Sequence, residues 1–299
     1  MYIGRFAPTP SGPLHFGSIV TAIASFLDAK FHRGKWLLKI DDLDHPRIAK
    51  GAENSILKAL ENLGLKWDGE IIHQSQRIDS YQYYLDQLQK DDLLYKCNCS
   101  RKNICMSGKI GLDGIIYDGT CRQKLNVNKK NISYRIKVND VSISLEDKIQ
   151  GKIKQNLTQD IGDFIVRRSD QIFAYQFAVS IDNQLDKITH LCRGYDLINS
   201  LHRQYYLHKL LNFNFPISIH IPTITKNQKK LSKGHGNTIQ INRNESLIWI
   251  NALEFLGQPI DDYKAKMSVE EILQEALVRW SLKSIPKLPS LEVVEHIHT

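Results

Sequence analysis

No apolar stretch in this sequence is long enough to cross a bilayer. The longest, Ile19 to Leu27, is broken by Thr21 and Ser25 and falls far short of the roughly 20 apolar residues a membrane helix needs. Nor does a basic stretch with an apolar run and cleavage site stand near Met1, because Met1-Tyr2-Ile3-Gly4-Arg5 leads straight into a motif. A cytoplasmic protein without a membrane partner is therefore expected. Cysteine is scarce and odd in number, at 5, which argues against a disulfide framework. Internal repeats and low-complexity segments are also lacking.

What is present suffices for one substantial core, or a core plus a small module: 299 residues, 42% of them hydrophobic. The formal charge of +8 suits a polyanionic partner such as nucleic acid, or a merely solvated basic surface. Ile19, Ala22, Ile23, Phe26 and Leu27 recur at helical spacing, and Lys35 to Ile40 reads as a buried strand. Ile56, Leu57, Leu60 and Leu63 mark a second helix closed by Gly64. Tyr81, Tyr84, Leu85 and Leu88 mark a third, with Ser80 as its expected N-cap. This opening predicts a Rossmann-like, doubly wound α/β fold with a parallel sheet.

The pattern then shifts to short β-like runs, Ile132 to Val138 and Val141 to Leu145, within a cysteine-bearing α+β insertion. Strand-like segments resume at Phe164 to Val166, Phe173 to Ile181 and Ile188 to Cys192, with a helical stretch from Leu197 to Leu211. Two amphipathic helices, Leu247 to Leu256 and Val269 to Leu277, follow, the second opened by a Ser268/Glu271 capping box. The expected divisions are 1–92 and 158–222 for the halves of the nucleotide-binding core, 93–157 for the insertion and 223–299 for a mobile loop and a short helical region.

Arg5-Phe6-Ala7-Pro8-Thr9-Pro10-Ser11-Gly12-Pro13-Leu14-His15-Phe16-Gly17-Ser18 delivers a His-x-Gly-Ser step onto a helix start. Unpaired backbone N–H groups and partial positive charge there suit phosphate, and Gly17 permits close approach. The strand ending at Ile40 runs into Asp41-Asp42-Leu43-Asp44, a carboxylate cluster at the strand edge where α/β folds bind ligands, which suits an ammonium group or caps a turn. Lys229-Lys230-Leu231-Ser232-Lys233-Gly234 suits a loop closing over phosphates or a solvated basic patch.

Together these strings resemble the glutamyl- and glutaminyl-type class I aminoacyl-tRNA synthetases, from Arg5 through about Gly234. His15 and Gly17 match the HIGH region, with Ser18 in place of its last histidine, and Lys230-Leu231-Ser232-Lys233 looks like the KMSKS loop. The resemblance implies that Arg5 pairs with the side-chain carboxylate of a glutamate substrate. Phe6, Ala7, Pro8, Thr9 and Ser11 would line the amino-acid and adenylate pocket. Tyr175, in Phe173 to Val179, and Arg193, in Ile188 to Asp196, match two more substrate-contacting positions. The family usually has Glu where this chain has Asp41, so its contact with the substrate amino group is direct or water-bridged. ATP with Mg2+ would lie against His15, Gly17, Ser18 and the Lys230 to Lys233 loop, with His15, Lys230 and Lys233 as the catalytic groups.

Only 65 residues follow Gly234, where full glutamyl-tRNA synthetases continue with a large anticodon-reading part. The chain thus resembles the shortened paralogues that attach glutamate to the queuosine of tRNA(Asp), and a monomer is expected. Rival expectations are a truncated enzyme charging a tRNA acceptor end and a catalytically silent RNA-binding relative. Cys97-x-Cys99 with Tyr117-x3-Cys121 resembles the structural zinc site inserted in these short synthetases, with Cys105 as a rival to Tyr117 for the fourth position.

Overall fold

The structure is a computed structural model that describes residues 1–112, 114–123, 131–226, 229–230, 244–263 and 266–292. Ile3–Phe6 (β1) and Lys35–Ile40 (β2) pair in parallel, Ile3 against Lys35 and Phe6 against Leu38. Parallel neighbours need a crossover, and Phe16–Phe31 (α1) makes it. Ala52–Asn62 (α2) then leads to Ile72–His73 (β3), parallel to β2, and Ile78–Lys90 (α3) follows.

Leu94–Cys97 (β4), Arg101–Ser107 (α4), Ile110–Gly111 (β5) and Gly114–Ile115 (β6) carry the chain to Ser133–Ile136 (β7). β7 lies antiparallel between β4 and Ile165–Arg167 (β10). Ser142–Asp147 (β8) and Gly151–Asn156 (β9) form a hairpin. Tyr175–Leu185 (α5), His190–Gly194 (β11), Leu201–Leu210 (α6) and Ile217–Ile221 (β12) complete a second parallel unit, ordered β11-β12-β8-β9. The β-like run Val141 to Leu145, expected to belong to the 93–157 insertion, lies in β8 from Ser142 onward and joins this sheet beside β12. Thr223–Lys226 (β13), Lys229–Lys230 (β14), Glu245–Phe255 (α7), Val269–Arg279 (α8) and Ser290–Glu292 (β15) end the described chain, β13 pairing with both β14 and β15.

The two parallel units meet at β1 and β11, where the Thr189 N–H donates to the Ile3 carbonyl at 2.9 Å. The strand order thus runs outward in both directions from this junction. Such a switch point leaves a crevice at the carboxyl ends of the strands, where doubly wound folds bind ligands.

One core packs α1, α7 and α8 together through Ile19, Ile23, Leu27, Trp249, Leu253 and Ile272. The buried indoles are fixed by hydrogen bonds from Trp249 Nε1 to the Leu63 carbonyl and from Trp280 Nε1 to Asp28 Oδ1, each 3.0 Å. A second core joins α3 and α5 to β7 and β10 through Tyr81, Leu85, Ile136, Val166 and Phe177. The capping box at Ser268 and Glu271 is formed as the spacing predicts.

Two local expectations are corrected. Phe173 to Ile181 is not a strand: Phe173 makes one bridge to Arg167 and α5 begins at Tyr175. A helix buried this fully loses the amphipathic alternation that separates it from a buried strand. Ser80 is not an N-cap, because the 3-10 turn Gln74–Arg77 runs directly into α3 at Ile78.

Burial against the rings of Phe213 and Phe215 holds His208 down at about 4, below its ordinary 6.5, while its hydrogen bond to the Asn214 carbonyl acts oppositely. A folded value below the unfolded one contributes stability that is full above about pH 6.5 and is lost as pH falls toward 4. Urea unfolding should therefore show roughly 3 kcal/mol of acid destabilisation from this one proton across that window. His208→Asn, which can still donate to Asn214, should flatten the acid limb; an unchanged limb refutes the assignment.

Candidate active site

A cavity of about 520 Å3 opens at the junction of β1 and β11. Arg5, Phe6, Ala7, Pro8, Thr9 and Ser11 line it from the end of β1 and the turn beyond. His15, Gly17 and Ser18 line it from the start of α1, Tyr175 from the start of α5, and Arg193 from β11. These residues are separated by up to 188 positions in sequence and are brought together by the parallel order of the sheet.

Both arginines are nearly inaccessible, Arg5 at 6% and Arg193 at 4% exposure. Arg5 donates from Nε to Asn183 Oδ1 at 3.0 Å, and Arg193 from Nη1 to Gln204 Oε1 at 2.7 Å. Arg5 Nη2 and Arg193 Nε and Nη2 are buried with no hydrogen-bond partner among the described residues. Burial pushes the Arg193 guanidinium below the usual arginine range and the like charge of Arg5 adds to this, while Tyr175 works against it. Buried charged donors left without acceptors are costly unless a ligand completes them. The arrangement is that of an anion site.

His15 is itself the N-cap of α1: its Nδ1 accepts from the Ser18 N–H at 3.2 Å. Gly17 lies so close to this ring that a Cβ there would stand 3.2 Å from it, so a side chain would require the imidazole to shift by a few tenths of an ångström. The motif therefore builds a rigid helix start facing the cavity, suited to a phosphate.

Asp41 is placed differently. Its backbone N–H donates to the Pro8 carbonyl at 3.0 Å, tying together the turns after β1 and β2, but it is not among the cavity-lining residues. Its Oδ1 is 3.5 Å from Lys39 Nζ and makes no hydrogen bond. Burial raises its carboxyl above the ordinary range; Lys39 and Arg5 pull the other way and Asp182 reinforces the rise.

Lys39 belongs to a buried network that motif reading missed. It ion-pairs with Asp182, whose carboxylate also accepts from Gln74 Nε2 at 2.8 Å, Tyr81 Oη at 2.8 Å and Arg77 Nη1 at 3.1 Å. Arg77 in turn pairs with Asp186. The available signal was a lysine inside the apolar strand Trp36-Leu37-Leu38-Lys39-Ile40, since a fully buried lysine needs a partner. Asp147 and His220 were missed too: both are fully buried, with His220 Nδ1 2.7 Å from Asp147 Oδ2, beside Arg193 in the sheet register. Arg47 and Thr223 also line the cavity without any local motif to announce them, and Asp196, the last residue of the Ile188 to Asp196 block, lines it too.

β13 starts at the cavity with Thr223 and Ile224, and its partner β14 ends at Lys230, opposite Thr225. Leu231, Ser232 and Lys233 lie outside the described residues.

Away from the cavity, the sulfurs of Cys97, Cys99 and Cys121 all lie within 4.8 Å of one another. Tyr117 Oη stands 3.5 Å from Cys97 Sγ and 3.4 Å from Cys99 Sγ. Tetrahedral coordination by sulfur and oxygen sets ligand atoms about 3.5 to 3.8 Å apart, so the cluster fits a metal ion. Cys105 is exposed and outside this triad. Arg135 stacks on the Tyr117 ring, its guanidinium carbon 3.9 Å from the centroid.

Among the described residues no helix is long and apolar enough to cross a membrane. The sequence profile for tRNA synthetases class I (E and Q), catalytic domain, matches residues 3–290. A glutamyl-Q tRNA(Asp) synthetase of Thiobacillus denitrificans is 41% identical over 288 residues, covering 96% of this chain and 96% of its own. Another, from Pseudomonas syringae pv. syringae, is 40% identical over 291 residues, covering 97% and 96%. Among solved structures, a glutamate-tRNA synthetase from Elizabethkingia anophelis is similar at a TM-score of 0.81 and 25% identity, across 99% of this chain and 68% of that one. A glutamate tRNA ligase from Elizabethkingia meningosepticum, solved with its amino acid, shares the fold at a TM-score of 0.80. The chain belongs to the class I tRNA synthetase family whose catalytic domain serves E and Q, and within it to the glutamyl-Q tRNA(Asp) synthetases.

Proposed function

We propose that this chain joins glutamate to ATP as glutamyl-adenylate and passes the glutamyl group to the queuosine base of tRNA(Asp). The observation that carries this reading is the pair of buried guanidinium groups between β1 and β11 whose N–H donors find no partner among the described residues. A planar fork of this kind grips a carboxylate through parallel charge-assisted bonds.

Arg5 takes the side-chain carboxylate of glutamate, and Arg193 and Tyr175 complete that end of the pocket. Phe6, Ala7, Pro8, Thr9 and Ser11 wall the amino acid and adenylate. The substrate ammonium meets Asp41 through a bridging water, since Asp41 does not line the cavity. ATP enters with Mg2+, which shares the phosphate charge, and its phosphates rest at the α1 N-terminus against His15, Gly17 and Ser18. The α-carboxylate attacks the α-phosphorus in line, forming a C–O–P bond as the bond to pyrophosphate breaks. Lys230 and Lys233, with Leu231 and Ser232 between them, balance the departing charge. No side-chain nucleophile is needed; catalysis is positioning and electrostatic stabilisation.

Labelled glutamate, ATP and tRNA(Asp) with and without queuosine test the reading. Label should enter only the queuosine-containing RNA, survive removal of its terminal adenosine, and travel with the anticodon fragment after nuclease cleavage. Label lost with the terminal adenosine would instead assign acceptor-end charging.

At the cysteine cluster, the metal is zinc, held by Cys97, Cys99, Cys121 and Tyr117, and it supplies a structural cross-link. Elemental analysis of protein purified without chelator should give about one zinc per chain. Cys121→Ser should lose the metal and lower the melting temperature; metal-free wild-type protein that melts normally would remove the site.

A further inference from the structure

Gln204, on α6, has no exposed surface. Its Oε1 accepts from Arg193 Nη1 at 2.7 Å, its Nε2 donates to Gln176 Oε1 at 3.0 Å, and Gln176 Nε2 donates to Ser200 Oγ at 2.8 Å. This relay fixes the orientation of each amide. Were Gln204 to turn over, its NH2 group would face an arginine N–H and its oxygen would face another oxygen.

The consequence lies at the guanidinium. Nη1 is the nitrogen on the Cδ side, so holding it leaves the opposite edge, Nε with Nη2, as the open one. Those two nitrogens are the buried pair without a hydrogen-bond partner among the described residues, and their parallel N–H bonds match the two oxygens of one carboxylate. A carboxylate in place of Gln204 would neutralise Arg193. An amide fixes the group and leaves its charge whole.

We propose that Gln204 is the positioning residue of Arg193, presenting its Nε/Nη2 edge to the substrate carboxylate and, because it is neutral, reserving the positive charge for an acidic amino acid over its amide. The proposal rests on the glutamate reading of the cavity. The full chain is assayed for glutamate-dependent exchange of pyrophosphate into ATP, with KM for glutamate and for ATP, kcat and melting temperature.

Gln204→Glu keeps length and acceptor but cancels charge. It should raise the glutamate KM roughly 100-fold and erode discrimination against glutamine, with the ATP KM changed less than about twofold. Gln204→Met keeps the shape and removes the bond, and should raise the glutamate KM roughly 10-fold. A purely structural role would lower the melting temperature and leave KM alone. A folded Gln204→Glu variant with the wild-type glutamate KM overturns the proposal; if that variant does not fold, Gln204→Met decides by the same criterion. Wild-type protein showing neither exchange nor calorimetric glutamate binding sinks the cavity reading and this proposal together, whereas active wild type with unaltered variants sinks the role of Gln204 alone.

Discussion

Arg193→Ala should lower kcat/KM for glutamate by about 10^3-fold in pyrophosphate exchange while leaving the protein at least as stable as before. Truncating one partner of a desolvated, doubly hydrogen-bonded charge pair typically costs about 2–5 kcal/mol of binding, and each 1.4 kcal/mol is roughly tenfold. The stability expectation has the opposite sign from most core truncations. Arg193 is 4% exposed, with Nε and Nη2 lacking a hydrogen-bond partner among the described residues, so removing its guanidinium relieves an unfavourable burial while taking the donor from Gln204 Oε1. Arg193→Lys should recover no more than about tenfold of the loss, because an ammonium restores charge without the fork. Activity of Arg193→Ala within tenfold of wild type would place the carboxylate elsewhere.

This inverse relation between stability and use also explains which parts of the site were legible in sequence. Arg5, His15, Gly17, Tyr175 and Arg193 sit in compact strings whose local geometry and chemistry coincide, such as a proline-rich turn feeding a helix start. The strand Lys35–Ile40 and the crossover α1 were legible because a buried run and a helical period lie within a few residues. Their partners were not. Arg5 is fixed by Asn183, 178 positions away, and Lys39 by Asp182, 143 away; each pairing depends on the placement of α5 against β1 and β2. Reading Phe173 to Ile181 as a strand hid this, because it obscured the face of α5 on which Asp182 and Asn183 stand. Asp41 shows the same limit. Sequence puts it at a strand end, but its buried neighbour Lys39 determines what surrounds its carboxylate.

Asp182→Ala should destabilise the fold by about 3–5 kcal/mol, seen as a fall of about 10 °C in melting temperature. Asp182 is fully buried and its two oxygens accept from Lys39, Gln74, Tyr81 and Arg77. Burial alone would raise its carboxyl, yet Lys39 and these donors hold it below the ordinary range. Removing the carboxylate leaves Lys39 Nζ buried with only Asp41, at 3.5 Å, and strands the tyrosine and glutamine donors. Because the folded value is depressed, this contribution is present above about pH 4 and disappears as pH falls through the folded value. The gap between wild type and variant should therefore close in acid. Replacing the pair together, Lys39→Met with Asp182→Leu, should recover part of the loss, since well-packed apolar groups can match a buried ion pair that neither residue can leave singly. Asp182→Ala melting within 2 °C of wild type, or a double variant no better than the single, would mean that Lys39 is satisfied by Asp41 alone, and that Asp41 is then committed to the protein and withdrawn from the substrate.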